Sequence, residues 1–179
     1  DFDRGQAKAM MKKLKDSGSF EPSSISSAEL ISLGNMMEGF DKSDFVAMSA
    51  NTIRDSVDSI ANLDLGLDQA QGVISQLIAG GNMGAKAAVM GKLFKYAPRS
   101  EVKNLGFDDL KLSCDSSDSL DIDPSRDQAQ AIAMKITERL GPLSSSNYSG
   151  DCFSRWGKVA ALGFSKEDLA QMRTDGEMS

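Results

Sequence analysis

The sequence predicts an all-α fold built from about three helical repeats, and three observations carry that expectation. One pattern recurs: Gln6-Ala7, Gln69-Ala70 and Gln128-Ala129 each open a segment with apolar residues four and five positions later, Met10/Met11, Val73/Ile74 and Ile132/Ala133. A larger apolar residue follows at plus eight (Leu14, Leu77, Ile136), and a glycine closes each segment (Gly18, Gly81, Gly141). Composition agrees: 40% apolar but only 6% aromatic, with ten Met, suits packed short helices rather than a β-sandwich. Alternating apolar and polar runs are nearly absent, so little or no strand is expected. A period of about sixty residues that repeats apolar spacing together with stop signals marks a stacked helical array.

The elements follow in the same order in each repeat. The Gln-opened helices are expected near 4–16, 68–79 and 125–140, each ended by its glycine. Next come Leu33-Gly34, Met90-Gly91 and Trp156-Gly157 at equivalent places, with apolar residues two positions on (Met36, Leu93, Val159). They predict helices near 27–38, 84–96 and 151–161. Lys42-Ser43-Asp44-Phe45, Arg99-Ser100-Glu101-Val102 and Lys166-Glu167-Asp168-Leu169 then share a basic, any, acidic, apolar pattern. An acidic residue in a first turn is favoured by the helix dipole, which predicts helices near 42–49, 99–105 and 166–173. Asp41 and Ser165 are placed to cap two of them, and Phe40 and Phe164 to staple them. Further helices are expected near 51–61 and 107–113. Loops are read at 17–26, 63–67, 114–124 and 141–150. Repeat three carries one extra residue between Gly157 and Glu167, which a connecting turn is expected to absorb.

The whole, residues 1–179, reads as one helical-repeat domain with units 5–67, 68–126 and 127–179. The last unit stops in mid-pattern, so a longer parent chain is expected. Net charge is −6 and the isoelectric point is near 4.7. No basic block exceeds Lys12-Lys13-Leu14-Lys15, so nucleic acid is not an expected partner. No apolar stretch approaches the roughly twenty residues a bilayer requires, so direct membrane insertion is not expected.

Chemistry-bearing patterns are scarce. The chain has no His, which removes the commonest general base and the commonest metal ligand. No Ser-x-x-Lys, Gly-x-Ser-x-Gly, phosphate loop or dinucleotide fingerprint is present. Gly80-Gly81-Asn82-Met83-Gly84 follows a helix rather than a strand and reads as a helix stop. Catalysis is therefore not expected, nor any cofactor. The acidic run 115–127 invites a calcium reading, but an EF-hand frame begun at Asp121 puts Arg126 at position six and Ile132 at twelve. Asp118, Asp121 and Asp123 remain as weak calcium candidates, with a solvated loop as the plain alternative. Cys114 and Cys152 stand in or beside polar loops. They are either a disulfide in an oxidising compartment or two buried thiols in a reducing one. Asn147-Tyr148-Ser149 is a glycosylation sequon in the 141–150 loop, and together with the paired cysteines it points to an extracellular setting.

The assembled unit, a Gln-opened helix, a Leu-Gly helix, then Gly-Phe followed by an acidic-capped helix, resembles repeats of the mesothelin, stereocilin and otoancorin family. The most similar stretch is Leu162-Gly-Phe-Ser-Lys-Glu-Asp-Leu-Ala-Gln-Met172, followed by Leu33-Gly-Asn-Met-Met-Glu-Gly-Phe-Asp-Lys-Ser-Asp-Phe45. The likeness covers most of residues 5–173. It implies an extracellular, armadillo-like right-handed superhelix engaged in cell-surface adhesion or in attaching cells to an extracellular gel. The functional expectation is a non-enzymatic adhesion or interaction module, with a protein or glycan partner at the cell surface or in a matrix. Two alternatives stand beside it: an acidic, calcium-attracting component of a secreted, mineral-associated matrix, and an intracellular helical adaptor. Oligomeric state and the binding face are not set by the sequence.

Overall fold

The computed structural model describes residues 3–114, 120, 122–143, 148 and 150–170. Among these the chain is mostly helical, with no strand beyond an isolated parallel bridge between Gly91 and Ile122. It divides into two compact bodies, Asp1–Lys86 and Ala87–Ser179.

In body one, α1 (Arg4–Asp16) opens on Asp3, whose carboxylate accepts the Gln6 N–H at 2.8 Å while the Asp3 N–H donates to Gln6 Oε1. That reciprocal cap is why the glutamine stands at the third helical position. α1 stops at Gly18, whose φ of +69° lets the Gly18 and Ser19 N–H groups turn back onto Lys15 and Leu14. A 3₁₀ turn (Pro22–Ser24) leads to α2 (Ser27–Ser32), and a 3₁₀ segment (Gly34–Gly39) lies against α1. The fit is close. A Cβ on Gly39 would stand 2.4 Å from the Ala7 carbonyl, so only glycine admits that approach.

α3 (Lys42–Ala47) opens on Asp41, whose N–H donates to Asp44 Oδ2 at 2.7 Å, and Phe40 meets Phe45 edge to face at 5.4 Å. The staple is formed as expected; the cap is one-sided, since Asp44 receives the Asp41 N–H while the Asp41 carboxylate makes no cap hydrogen bond and faces Lys8 and Lys15. α4 (Ala50–Ile60) buries Ile53, Val57 and Ile60 on one stripe against α2. α5 (Leu67–Ala79) packs on α3 through Gly72, and a short α6 (Met83–Lys86) follows.

Body two repeats the plan. Turns at Ala87–Val89 and Phe94–Tyr96 precede α7 (Arg99–Asn104), which packs against α8 (Arg126–Leu140). α9 (Gly150–Trp156) and α10 (Lys158–Gly163) follow, and residues 166–170 are helical. Trp156 is the centre of this core, ringed by Tyr148, Phe153 and Phe164 and donating its indole N–H to the Leu112 carbonyl. Gly163 meets Ala129 as Gly39 meets Ala7, with 2.5 Å between an imagined Cβ and the Ala129 carbonyl oxygen.

Several expectations need correction. The helices predicted as unbroken over 27–38, 84–96 and 151–161 are each divided at the repeat glycine. Gly34, Gly91 and Gly157 adopt φ of +51°, +48° and +49°, a left-handed conformation that ends one helix and redirects the chain. Residues 107–111 form a turn rather than a helix, with Lys111 at φ 49°. Leu14 is only half-buried; Ala7 and Met11 supply the core face of α1, and Met10 is 38% exposed.

The extra residue of repeat three is absorbed by a change of helix type instead of by a connecting turn. Gly34 to Gly39 is five steps of 3₁₀ helix, about 10 Å at ~2.0 Å per residue. Gly157 to Gly163 is six steps, run mostly as α-helix, about 9 Å at ~1.5 Å per residue. Both place a glycine on the Gln-opened helix of the same repeat.

Candidate interaction surface

The repeated glutamine joins one repeat to the next. Gln69 Oε1 accepts from the Gly66 N–H at 2.8 Å and from the Arg4 guanidinium at 2.6 Å. Its Nε2 donates to the Glu38 and Phe40 carbonyls at 2.9 and 2.6 Å, the end of the preceding repeat's 3₁₀ segment. One side-chain amide thus uses two donors and two acceptors. Gln128 does the same in body two. Its Oε1 accepts from the Ser125 N–H, and its Nε2 reaches the Phe94 and Ala97 carbonyls at 3.1 and 2.7 Å. Both glutamines are buried, at 5% and 3% exposure. Sequence comparison of the repeats locates these residues but not this role, because the carbonyls they serve lie 29 to 34 residues earlier.

Beside the Gln69 joint, body one carries an open groove of about 880 Å³. Arg4 and Lys8 on α1, Asp41 and Lys42 at the start of α3, and Asp68 on α5 give it a mixed-charge rim. Val46 and Leu67 present apolar surface there, at 45% and 55% exposure. Lys8 pairs with Asp41 at 3.8 Å, and Lys15 bridges Asp41 and Asp44 at 3.5 and 2.9 Å. Partial burial works against the Lys15 charge, but the hydrogen bonds and field of Asp44 and Asp41 outweigh it and hold the ammonium above its ordinary pKa. The groove thus sets paired charges beside exposed apolar side chains.

Body two has a smaller groove, about 590 Å³, at related repeat positions: Arg126 answers to Arg4, Phe164 to Phe40 and Ser165 to Asp41. Met134, Leu162 and Leu143 add apolar surface. Ser165 and Asp168 form a reciprocal cap, at 2.9 and 3.0 Å, and the Ser165 hydrogen bonds hold the Asp168 carboxyl below its ordinary range.

The sequence-predicted site residues fall as follows. Cys114 and Cys152 are joined in a disulfide, Cα atoms 4.9 Å apart and 38 residues apart in sequence. Arg155 donates to the Cys114 carbonyl, tying the bridge to α9. Of the weak calcium candidates, Asp123 is engaged by the Lys158 ammonium at 2.5 Å, which gives its carboxylate a partner of its own. Asp118 and Asp121 lie outside the described residues, as does the sequon residue Asn147. Among the described residues no cluster of three metal-ligating side chains is found, and no helix is long and apolar enough to cross a membrane. Comparison with protein-family models, with curated proteins and with solved structures finds no match to the chain.

Proposed function

We propose that the chain is a non-enzymatic extracellular interaction module that presents a helical-repeat surface to a protein or glycan partner, in adhesion at the cell surface or in a matrix. The observation that carries this reading is the Cys114–Cys152 bridge, since disulfides persist in oxidising compartments. The mesothelin-like motifs support it. In this reading the repeats stack as a right-handed, armadillo-like superhelix, and the glutamine joints at Phe40 and Ala97 are the recurring contact that stacking requires. The groove of body one is the binding face, because Val46 and Leu67 leave apolar area uncovered between fixed charges.

The test has two arms. Protein from a eukaryotic secretory host is weighed intact, with and without reduction and glycosidase. A two-hydrogen deficit closed by reduction, with glycan released from Asn147, is expected; two free thiols on a bare chain would overturn the extracellular setting. The same material is then titrated onto cells and onto immobilised matrix glycans. Saturable binding weakened at least tenfold by Val46→Asp with Leu67→Asp is expected, a loss of about 1.4 kcal/mol or more. Binding untouched by that pair would move the partner site off this groove.

A further inference from the structure

Charge is spread unevenly over this acidic chain, and the repeats show where. Gln128 reaches the Lys95 and Ala97 carbonyls as Gln69 reaches those of Glu38 and Phe40, and α7 packs on α8 as α3 packs on α5. The two joints can therefore be compared position by position. In body one Glu38, Lys42, Val46 and Leu67 line a single groove. Their counterparts in body two are Lys95, Arg99, Lys103 and Arg126, a cation at every place, and Pro98 stands where Asp41 does.

All four cations are exposed, and among the described residues none is paired with a carboxylate. Arg99 and Lys103 stand one turn apart on α7, which buries Val102. The Lys95 ammonium lies over the half-buried Tyr96 ring, 5.0 Å from its centre. Glu101 and Asp127 are the acidic side chains on these segments, so the surface stays positive on a chain whose net charge is −6. It offers an anion a field that the chain as a whole does not. The patch is polar as well as basic. No large apolar side chain of residues 92–104 or 125–128 is exposed, while Ser100, Asn104 and Ser125 are. A protein partner is held chiefly by apolar and aromatic anchors at the centre of its interface, and this surface offers few. Cations set among hydroxyl and amide groups suit a polyanionic carbohydrate better.

We infer that Lys95, Arg99, Lys103 and Arg126 form a binding surface for the sulfate groups of a sulfated glycan, separate from the groove of body one. The choice of a sulfated glycan over a nucleic acid rests on the extracellular reading; the demand for a polyanion rests on the four cations alone.

Calorimetric titration of the 179-residue chain with heparin oligosaccharides tests it. Saturable binding is expected, weaker by roughly tenfold or more when salt rises from about 50 to about 200 mM, because ion contacts with a polyanion release counterions. Lys95→Glu with Lys103→Glu should weaken binding by roughly tenfold or more while keeping the helical circular dichroism of the parent. Lys12→Glu with Lys13→Glu, which changes the net charge equally on α1, should stay within about twofold of the parent. An equal loss there would show that overall charge governs binding and would overturn the inference. So would absence of binding at about 50 mM salt, or equal affinity for fully desulfated heparin. Tighter binding of polyglutamate or of single-stranded DNA would overturn it too, assigning the surface to an acidic protein or to a nucleic acid. Free thiols on a bare chain from the secretory host would strike the extracellular reading instead, a result that heparin titration of the purified protein does not share.

Discussion

At the scale of single residues, the joint is set by glutamine and glycine. Glutamine alone offers an acceptor for its own N-cap N–H and two N–H groups long enough to reach the carbonyls of the preceding repeat. Removing it leaves buried carbonyls without partners. Gln128→Ala should therefore cost on the order of 1–3 kcal/mol in urea unfolding. Gln6→Ala, at the same repeat position but with no carbonyls to serve, should fall within about 0.5 kcal/mol of the parent, as exposed substitutions do. Equal losses at the two sites would show that the glutamine matters only as a cap. Gly39 and Gly163 act by what they lack: a methyl group at either place would intrude on the Ala7 or Ala129 backbone.

At the scale of elements, the helix starts were legible in the sequence because caps are local. Asp41 with Asp44 and Ser165 with Asp168 announce themselves within four residues; the structure forms both halves of the second and the Asp44 half of the first. The breaks were less legible. Leu33-Gly34 and its counterparts read as repeat markers, and only the folded backbone shows the left-handed glycine that divides each predicted helix. The burial of α1 was misphased because the two methionines of the pattern part company: Met11 is fully buried with Ala7, while Met10 is 38% exposed, so periodicity alone overcounts the core face. The groove itself was not legible, since it is assembled from four elements, α1, the Gly34–Gly39 segment, α3 and α5. The caps also set an acid dependence. The Ser26 hydroxyl and N–H hold the Glu29 carboxyl below its ordinary pKa, as Ser165 does for Asp168. A depressed folded pKa means a contribution complete above the ordinary carboxylate range and lost as pH falls through the folded value, so acid should fray α2 and the 166–170 turn. Carboxyl NMR titration should show the Glu29 midpoint rising in Ser26→Ala; an unchanged midpoint would refute the assignment.

At the scale of the whole molecule, the division between the two bodies falls inside repeat two, while the disulfide lies wholly within body two. Reduction should then act on one body alone. Closing a loop of 38 residues restricts the unfolded chain by about 4 kcal/mol in the chain-entropy account. Under reductant, Trp156 fluorescence should report earlier unfolding of body two, while amide exchange within α4 and α5 stays as it was; equal loss in both would mean that the bridge stabilises more than its own body. The joints carry a different kind of consequence. The later repeat brings the amide and the earlier one leaves the carbonyls, so a duplicated stretch of about sixty residues arrives with both halves of its joints in place. Unequal crossing-over between such stretches would lengthen or shorten the chain with no compensating substitution. A single inserted codon is harder to accommodate; repeat three, one residue longer between its two glycines than repeat one, spans the interval as α-helix where repeat one uses 3₁₀.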